Sequence, residues 1–282
     1  MIINDMPQIA FGKYSLSRLI VGSNTINGGS HLSRFVNMQM KNYFTTERIL
    51  EHLTECQQLG INTWQSGPSN LNWYKMLQEQ RTSMNFISLG CDAEDRPNML
   101  EDAVASGVIG IAHHGEHTDS SFKNGKINLV REYCKRVRES GTMVGVSTHM
   151  PDVMKHILDE DWDVDFFMCC VYERHRTHQE LMKLLGDVPI PVSEVYLEND
   201  PPRMFEMMRQ TDKPCLAFKI LAAGRLCDKQ ETVEQAFKST FQQIKPNDAV
   251  IVGMYPEYED QVSLNVQYVK EHSNLSTQAK GS

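Results

Sequence analysis

A lysine inside an apolar stretch is the first residue of this chain whose type and position could do chemistry. Lys219 lies in CLAFKILAAGRL (residues 215–226), where an apolar run leads into small residues and a glycine. Lysine seldom stays in a hydrophobic run unless its ammonium has a partner or a task, and Ala222, Ala223 and Gly224 would let a ligand approach the backbone. Such a lysine could form a Schiff base with a carbonyl, orient an anionic or hydroxylated substrate, or pair with a buried carboxylate. The stretch is therefore a candidate for one side of an active site, with these three roles open.

Histidines and cysteines end other apolar runs of the chain. His113 and His114 follow VIGIA, His149 follows MVGVS, and Cys169 lies in DFFMCCV. Imidazole and thiolate are zinc ligands, so His113 and His149, with Cys169 or its neighbour Cys170, could form a zinc-type metal site. The alternatives are acid–base work by one histidine, histidines hydrogen-bonded at a wet rim, and cysteines that only pack. The candidate catalytic residues are His113, His114, His149, Tyr172 and Lys219.

The elements that must position these residues form a repeating pattern. The eight short apolar runs are LIVG, INTWQ, FISLG, VIGIA, MVGVS, DFFMCCV, CLAFKIL and AVIVG. Each is followed by polar residues, and most by a helical segment. Continuously apolar strands that alternate with helices indicate an α/β fold, a parallel sheet closed into a (β/α)8 TIM barrel. Because barrel enzymes build their sites at the C-terminal ends of the strands, the candidate residues should surround one mouth.

Three further features are expected of this barrel. The segment QIAFGKYSLSRL predicts an N-terminal hairpin before the first strand. Two βα connections are long: residues 23–43 after the first strand, and residues 173–211 after the sixth, whose earlier part is placed to fold over the mouth. In the helical segment INLVREYCKRVRES, five residues are predicted to share the buried face. They are Leu129, Val130, Tyr133, Cys134 and Val137.

Length and composition narrow the classes of function. The 282 residues suit one barrel domain over residues 1–282. A formal net charge of -8 without a Lys/Arg-rich block argues against nucleic acid, so a small-molecule substrate is the expected partner. Seven cysteines without paired spacing, and an N-terminal segment without an apolar core, predict a cytoplasmic protein. No apolar run approaches the roughly 20 residues that would span a bilayer, so no membrane is expected. A homo-oligomer stays open.

Several stretches resemble aldo-keto reductases. FGKYSLSRLIVGSNT (11–25) is similar to the hairpin and first strand of that family, and GINTWQSG (60–67) to its second strand. FKILAAGRL (218–226) resembles its seventh strand, and AVIVGMYPEYEDQVSLN (249–265) its closing segment. The resemblance implies a (β/α)8 enzyme using NADPH. It assigns four positions to cofactor binding, namely Gly224, Arg225, Gly253 and Asn265.

The resemblance does not extend to the catalytic tetrad of that family. Its aspartate and tyrosine positions hold Gln65 and Asn70, its lysine position falls on Gly90 or Cys91, and only its histidine has a counterpart, His113 or His114. The basic residues that hold the adenosine 2′-phosphate are replaced by acids in MYPEYED. The resemblance therefore implies a barrel of this kind whose site has been rebuilt.

The expected function is an enzyme acting on a polar carbonyl or sugar-like small molecule by a route other than the standard tetrad. His113 or His149 would be the acid or base, and Lys219 an electrostatic or carbonyl-polarising group. The alternatives are a metal-assisted lyase, isomerase or hydrolase acting on a sugar-like substrate, and a non-catalytic small-molecule-binding barrel. Two cofactors stay open, NADPH by resemblance and a zinc-type divalent metal.

Overall fold

The computed structural model describes residues 6–190 and 192–273, and within these ranges the chain forms ten strands and eleven α-helices. The strands are β1 (Gln8–Phe11), β2 (Tyr14–Ser17), β3 (Leu19–Gly22), β4 (Thr63–Ser66), β5 (Asn85–Gly90), β6 (Gly110–His113), β7 (Met143–Thr148), β8 (Phe166–Cys170), β9 (Cys215–Phe218) and β10 (Ala249–Gly253). The helices are α1 (Arg34–Tyr43), α2 (Thr46–Gln58), α3 (Leu71–Glu79), α4 (Met99–Ala105), α5 (Gly115–Lys123), α6 (Ile127–Glu139), α7 (Pro151–Asp159), α8 (His178–Leu185), α9 (Asp200–Met208), α10 (Gln230–Phe241) and α11 (Gln261–His272).

Strands β3 to β10 run parallel and close into an eight-stranded barrel. The barrel closes where β10 pairs with β3, with Val250 opposite Leu19 and Gly253 opposite Gly22. Every residue of β3 and of β8 is buried, as expected for strands covered on both faces. The (β/α)8 TIM barrel predicted from the eight apolar runs is therefore confirmed.

Alternation along the strands divides the core in two. Residues such as Ile20 and Phe166 point into the barrel, whereas their neighbours Val21 and Phe167 pack under the surrounding helices. This alternation decides which polar residues at the strand ends can reach the barrel mouth.

The predicted N-terminal hairpin is present and closes one end of the barrel. Strands β1 and β2 pair antiparallel, and their residues Ile9, Phe11 and Leu16 share a buried cluster with the barrel interior. The rings of Phe11 and Phe166 lie 4.8 Å apart. The hairpin thus covers the N-terminal end of the barrel, which leaves the opposite end for a site.

The helix boundaries follow local signals in the sequence. Thr45 is the N-cap of α2 and accepts a hydrogen bond from the backbone N–H of Arg48. Two prolines occupy the first turn of α9, where a missing N–H costs nothing. Gly60, which follows α2, has a φ of 94°, a conformation that favours glycine. None of the helices in the two described ranges combines the length and the apolar character needed to cross a membrane.

Three sequence expectations differ from the structure. The connection 23–43 is only half loop, because its second half forms α1. Leu129 on α6 is 62% exposed and does not join the buried face of that helix. Strand β9 ends at Phe218, so Lys219 lies just beyond the strand and not inside it.

Candidate active site

A cavity of about 630 Å³ opens at the C-terminal ends of the barrel strands. Its floor is apolar and consists of inward-facing residues Leu89, Met168, Phe218 and Ile251. The upper wall carries polar and charged side chains. They are Asn24, Gln65, His114, Glu116, Ser147, His149, Arg174 and Lys219. A volume of this size suits a small organic ligand, and mixed lining suits one that is partly polar.

A buried carboxylate holds His149 in place on the cavity wall. The Oδ2 atom of Asp119 lies 2.8 Å from Nδ1 of His149. The same oxygen accepts a hydrogen bond from the backbone N–H of His149 at 3.0 Å. The hydroxyl of Thr148 donates to the other oxygen of Asp119. An ionised carboxylate only accepts, so Nδ1 carries the proton and Nε2 keeps its lone pair. This arrangement gives a histidine the tautomer and orientation of a general base.

The fold brings this pair together across two βα units. His149 follows β7, whereas Asp119 lies on α5, the helix that follows β6. The start of α5 can approach the imidazole because its first residue is Gly115. A Cβ at that position would lie 3.0 Å from Cε1 of His149 and 3.0 Å from Oγ of Ser147. A glycine there therefore permits the close approach.

Two further residues extend the cluster towards solvent. Nε2 of His175 lies 3.3 Å from Oε2 of Glu116, 3.4 Å from Oδ2 of Asp119 and 3.3 Å from Nδ1 of His149. Glu116 has an exposed side chain, whereas Asp119 is 1% exposed. A buried pair is thus connected to the surface through a second histidine and a second carboxylate.

Burial sets the charges of this cluster. Burial raises the pKa of Asp119 to about 6. The hydrogen bonds from Thr148 and from the backbone amide of His149 act in the opposite direction, but burial has the larger effect. Burial, and next the positive charge of Lys219, hold the pKa of His149 well below its usual value. The pKa of His175 is lowered by burial too. His149 is therefore a neutral imidazole at neutral pH and can take up a proton.

Lys219 lines the same cavity from the end of β9. Within the two described ranges its ammonium makes no hydrogen bond and no ion pair. Its pKa is lowered from 10.5 to about 8, chiefly by burial and also by the charge of Arg174, while Cys170, Glu194 and Glu116 act to raise it. Its φ is +62°, in the left-handed region, and Ala222 and Ala223 follow with φ of 47° and 52°. Backbone strain of this kind gathers at functional sites.

The two long connections meet above the mouth. His31, from the connection after β3, lies with Nδ1 3.0 Å from Oε1 of Glu194, which belongs to the connection after β8. Glu194 also accepts from Nη2 of Arg174 at 2.8 Å and from the hydroxyl of Tyr196 at 3.1 Å. Arg225 donates to the backbone carbonyl of His31 at 3.1 Å. These contacts form a roof over the cavity, built from His31, Arg174, Glu194, Tyr196 and Arg225.

The charges within the roof support one another. Burial alone would raise the pKa of Glu194, but Arg174 and the hydrogen bond from His31 lower it overall. The guanidinium of Arg225 lies 4.2 Å from the ring centroid of Tyr196, a distance that allows a cation–π contact. The roof is thus held together by charged groups, most of them partly exposed to water.

The structure places three of the five predicted catalytic residues on the cavity and two away from it. His114, His149 and Lys219 line it. His113 points outward, where its Nδ1 lies 2.7 Å from Oγ1 of Thr118. Tyr172 packs against Tyr196 with ring centroids 5.2 Å apart. Strand alternation explains why His113 lies away from the cavity, since it shares the outward side of β6 with Ile111.

The predicted metal set does not converge. His113 faces the helices, His149 faces the cavity, and the thiol of Cys169 lies 3.7 Å from the sulfur of Met154 in the outer core. Among the described residues, two groups bring three potential ligand atoms within 4.8 Å of one another. One is Glu116, His149 and His175 at the cavity, and the other is Glu234, Glu271 and His272 on the outer helices. Of these two groups, the first lies at the cavity.

The predicted cofactor positions divide in the same way. Gly224 and Gly253 line the cavity. Arg225 takes part in the roof, and Asn265 is buried in α11. The prediction that these four hold a nicotinamide cofactor stays a prediction.

The residues at the reductase tetrad positions do not fit that chemistry. Gln65 lines the cavity, but Asn70 does not, and its amide donates to Asn27 at 3.0 Å and to Ser66 at 2.7 Å. A Cβ at Gly90 would overlap the hydroxyl of Tyr133, so the position has no room for a lysine. The segment after β10 carries Glu257, Glu259 and Asp260, which would repel a 2′-phosphate.

Sequence reasoning missed four residues of the site. Asp119 lies inside a helix, and its only signal is a carboxylate on the buried face of α5 beside Gly115 and Thr118. Arg174 and His175 belong to ERHRTH directly after β8, where a dense run of charged and titratable residues could have marked them. Glu194 lies deep in the second long connection, and nothing in the sequence points to it.

Comparison with known proteins supports the fold. No protein-family model and no curated protein sequence matches this chain. A candidate 2,5-diketo-D-gluconic acid reductase B superposes with a TM-score of 0.54 at 10% identity, over 98% of this chain and 93% of that one. The glycerol dehydrogenase of Gluconobacter oxydans superposes with a TM-score of 0.51 at 14% sequence identity, over 100% of this chain and 99% of that one. A truncated 3-deoxy-D-arabino-heptulosonate 7-phosphate synthase from Thermotoga maritima superposes with a TM-score of 0.55 at 12% sequence identity, over 95% of this chain and 91% of that one.

Identities this low show a shared fold and no more. The similar structures include aldo-keto reductases together with a synthase, so the barrel alone does not name a reaction. The resemblance seen in the sequence is confirmed at the level of the fold. This chain is a (β/α)8 barrel whose fold is similar to that of aldo-keto reductases and of that synthase.

Proposed function

We propose that this protein is an enzyme that moves a proton on a small polar carbonyl compound of sugar-like size. The observation that carries the proposal is the Asp119–His149 pair, in which a buried carboxylate fixes the proton on Nδ1 of a histidine that lines the cavity. The chemistry this supports is isomerisation, elimination or carbon–carbon cleavage next to a carbonyl. Each of these begins with a base that removes a proton.

The residues divide the work between them. Nε2 of His149 takes a proton from the carbon beside the carbonyl, or from a hydroxyl, and Asp119 stabilises the imidazolium that forms. Negative charge then develops on the carbonyl oxygen. The positively charged side chains that line the cavity, Lys219 and Arg174, can stabilise that charge. His175 and Glu116 connect the pair to solvent and can return or remove the proton.

The cavity supports a substrate of this class. Its volume of about 630 Å³ accommodates a compound of sugar-like size, and its polar wall faces an apolar floor. Asn24, Gln65 and Ser147 supply uncharged hydrogen-bonding groups on the wall, which suit hydroxyls. A small molecule is thus the proposed partner.

The test follows exchange of the α-protons of small carbonyl compounds in D2O by NMR. The probes are dihydroxyacetone, glyceraldehyde, hydroxypyruvate and pyruvate, so that knowledge of the full reaction is not needed. We expect wild-type protein to accelerate exchange of at least one probe, and H149A to lose this by about 100-fold or more. The matched control is H113A, which removes an outward-facing histidine of the neighbouring strand and should leave exchange unchanged. Acceleration that survives in H149A would contradict the proposed role of His149.

A second candidate is metal-assisted chemistry at Glu116, His149 and His175. The observation that favours it is that these three residues bring one potential ligand atom each to within 4.8 Å of one another at the cavity. Two imidazoles and a carboxylate are common ligands of divalent transition metals. Protein purified without chelator should then contain zinc, nickel or manganese at close to one ion per chain. If none is present and none binds when these ions are supplied, the cluster works by proton transfer alone.

Reduction linked to a nicotinamide is tested separately. Fluorescence titration with NADPH and NADH should show no binding up to millimolar concentration, because the tetrad positions do not fit and the segment after β10 is acidic. A non-catalytic binding barrel makes a different prediction. In that case H149A would weaken binding of the probes, whereas loss of a transition-state contact leaves ground-state affinity largely intact.

A further inference from the structure

The side chain of Lys219 has no structural duty in the described part of the chain. It lines the cavity, is largely buried, and makes neither a hydrogen bond nor an ion pair there. Two other partly buried lysines, Lys213 and Lys245, do have partners. Nζ of Lys245 lies 2.8 Å from Oδ1 of Asp248, and that of Lys213 donates to the carbonyl of Val164 at 2.6 Å. A buried ammonium without a partner is unfavourable, so the folded environment shifts the equilibrium towards the neutral amine.

The backbone at this position is strained as well. A residue with a side chain in the left-handed region costs about 1–2 kcal/mol relative to glycine. Lys219 has a φ of +62°, and Ala222 and Ala223 repeat the conformation. Glycine would satisfy the same turn without strain. The chain nevertheless carries a long amine there, which points to a use for the side chain itself.

We propose that Lys219 is a nucleophile that forms a Schiff base with the carbonyl group of the substrate, an inference that rests on the proposed function and names its covalent intermediate. The lone pair of the amine attacks the carbonyl carbon, and the carbon–oxygen π electrons move to oxygen, which takes up a proton. The resulting carbinolamine loses its oxygen as water, and a protonated imine remains. Amine, carbonyl and one proton thus give iminium and water, and nothing is oxidised or reduced.

The neighbouring groups suit this step. His149 and Lys219 line the same cavity and interact electrostatically, so one substrate can meet both. The iminium withdraws electrons from the adjacent carbon, which makes its proton easier for His149 to remove. The pKa of Lys219, lowered by burial and by Arg174 to about 8, leaves roughly a tenth of the amine neutral at pH 7.

The competing role for Lys219 is simple charge, in which the ammonium and Arg174 hold an anionic substrate. Arginine keeps that charge but cannot form a Schiff base at neutral pH, so the K219R variant separates the two roles. Charge alone predicts binding without a covalent adduct.

Reductive trapping tests the proposal on the full chain. The protein is incubated with dihydroxyacetone, glyceraldehyde, hydroxypyruvate or pyruvate and then treated with sodium borohydride, which reduces an iminium to a stable secondary amine. Intact-mass analysis should show one adduct per chain with at least one probe, and peptide mapping should place it on Lys219. The adduct should fall at least tenfold in K219R. K155R is the matched control, since Lys155 is an exposed lysine beside Asp159, and it should be trapped as well as wild type.

Each outcome is decisive for Lys219. Absence of a Lys219 adduct with all four probes, or an equal adduct in K219R, overturns the inference. The exchange assay separates this result from the proposed function. Trapping at Lys219 with exchange that does not depend on His149 would retain the Schiff base and reject the acid–base pair. Exchange that depends on His149, without trapping at Lys219, would retain the acid–base pair and reject the Schiff base.

Discussion

Replacing Lys219 with methionine should make this protein more stable at neutral pH. The substitution keeps a long, unbranched side chain in the cavity and removes the charge. It leaves the left-handed backbone unchanged, because methionine bears the same strain as lysine at a φ of +62°. The remaining difference is the cost of burying an ammonium that makes no ion pair in the described ranges.

The size of that cost follows from the pKa. Burial lowers the pKa of Lys219 from 10.5 to about 8, and at about 1.4 kcal/mol for each pH unit this corresponds to roughly 3 kcal/mol. Because some water reaches the side chain, we expect K219M to raise the free energy of unfolding by about 2 kcal/mol at pH 7. The penalty on wild type is complete below pH 8, where both folded and unfolded chains are protonated. It disappears as the pH rises through 10.5, where both lose the proton.

Urea unfolding followed by tryptophan fluorescence measures this, since Trp64 and Trp162 are buried. The midpoint for K219M should lie roughly 0.5–1 M urea above that of wild type at pH 7, and the gap should narrow by about half at pH 9.5. Other lysines and tyrosines that titrate there are shared by the two proteins and cancel. A variant that is less stable than wild type at pH 7 would refute the reasoning, because it would mean that the ammonium has a stabilising partner.

Three further predictions test other parts of the structure. D119N should lower α-proton exchange by about 100- to 10,000-fold, because an amide no longer fixes the proton on Nδ1 of His149, and the NMR assay checks this against retained circular dichroism. G90A should destabilise the protein by about 1–3 kcal/mol in thermal unfolding, because its Cβ overlaps the neighbouring tyrosine hydroxyl. G67A, whose Cβ would make only an ordinary contact with Oγ of Ser69 at 3.9 Å, should be neutral. E194A should speed hydrogen exchange across residues 23–43, because it removes the anchor of the roof, and unchanged exchange there would contradict that role.

The sequence was sufficient to predict the barrel fold because each barrel strand can be recognised from its own local composition. Each apolar run is buried on both faces, so its composition identifies it without knowledge of its neighbours. Local composition also shows the helix stop at Gly60 and the proline-rich start of α9. It could also have separated His113 from His114, because β6 alternates and only one of two adjacent residues can face the mouth. The exposed Leu129 shows the limit of such patterns, since an apolar residue at the edge of a helix face need not be buried.

The site itself was decided by contacts between residues far apart in the chain. Asp119 and His149 are 30 residues apart and meet because neighbouring βα units pack side by side. His31 and Glu194 are 163 residues apart and meet because two long connections cross over one mouth. The strand register and the directions of the side chains determine both contacts, and the local periodicity of the sequence predicts neither contact.

Lys219 shows where the two sources of information divide. The sequence by itself determined that a lysine lies in an apolar run that leads into a small-residue turn, which located one side of the barrel mouth. Only the tertiary structure decided that this lysine stands beyond the strand, in a left-handed conformation, facing a cavity without a partner among the described residues. The reason is physical. Burial and strand propensity belong to the segment, whereas the pKa of a side chain and its partners belong to everything packed around it.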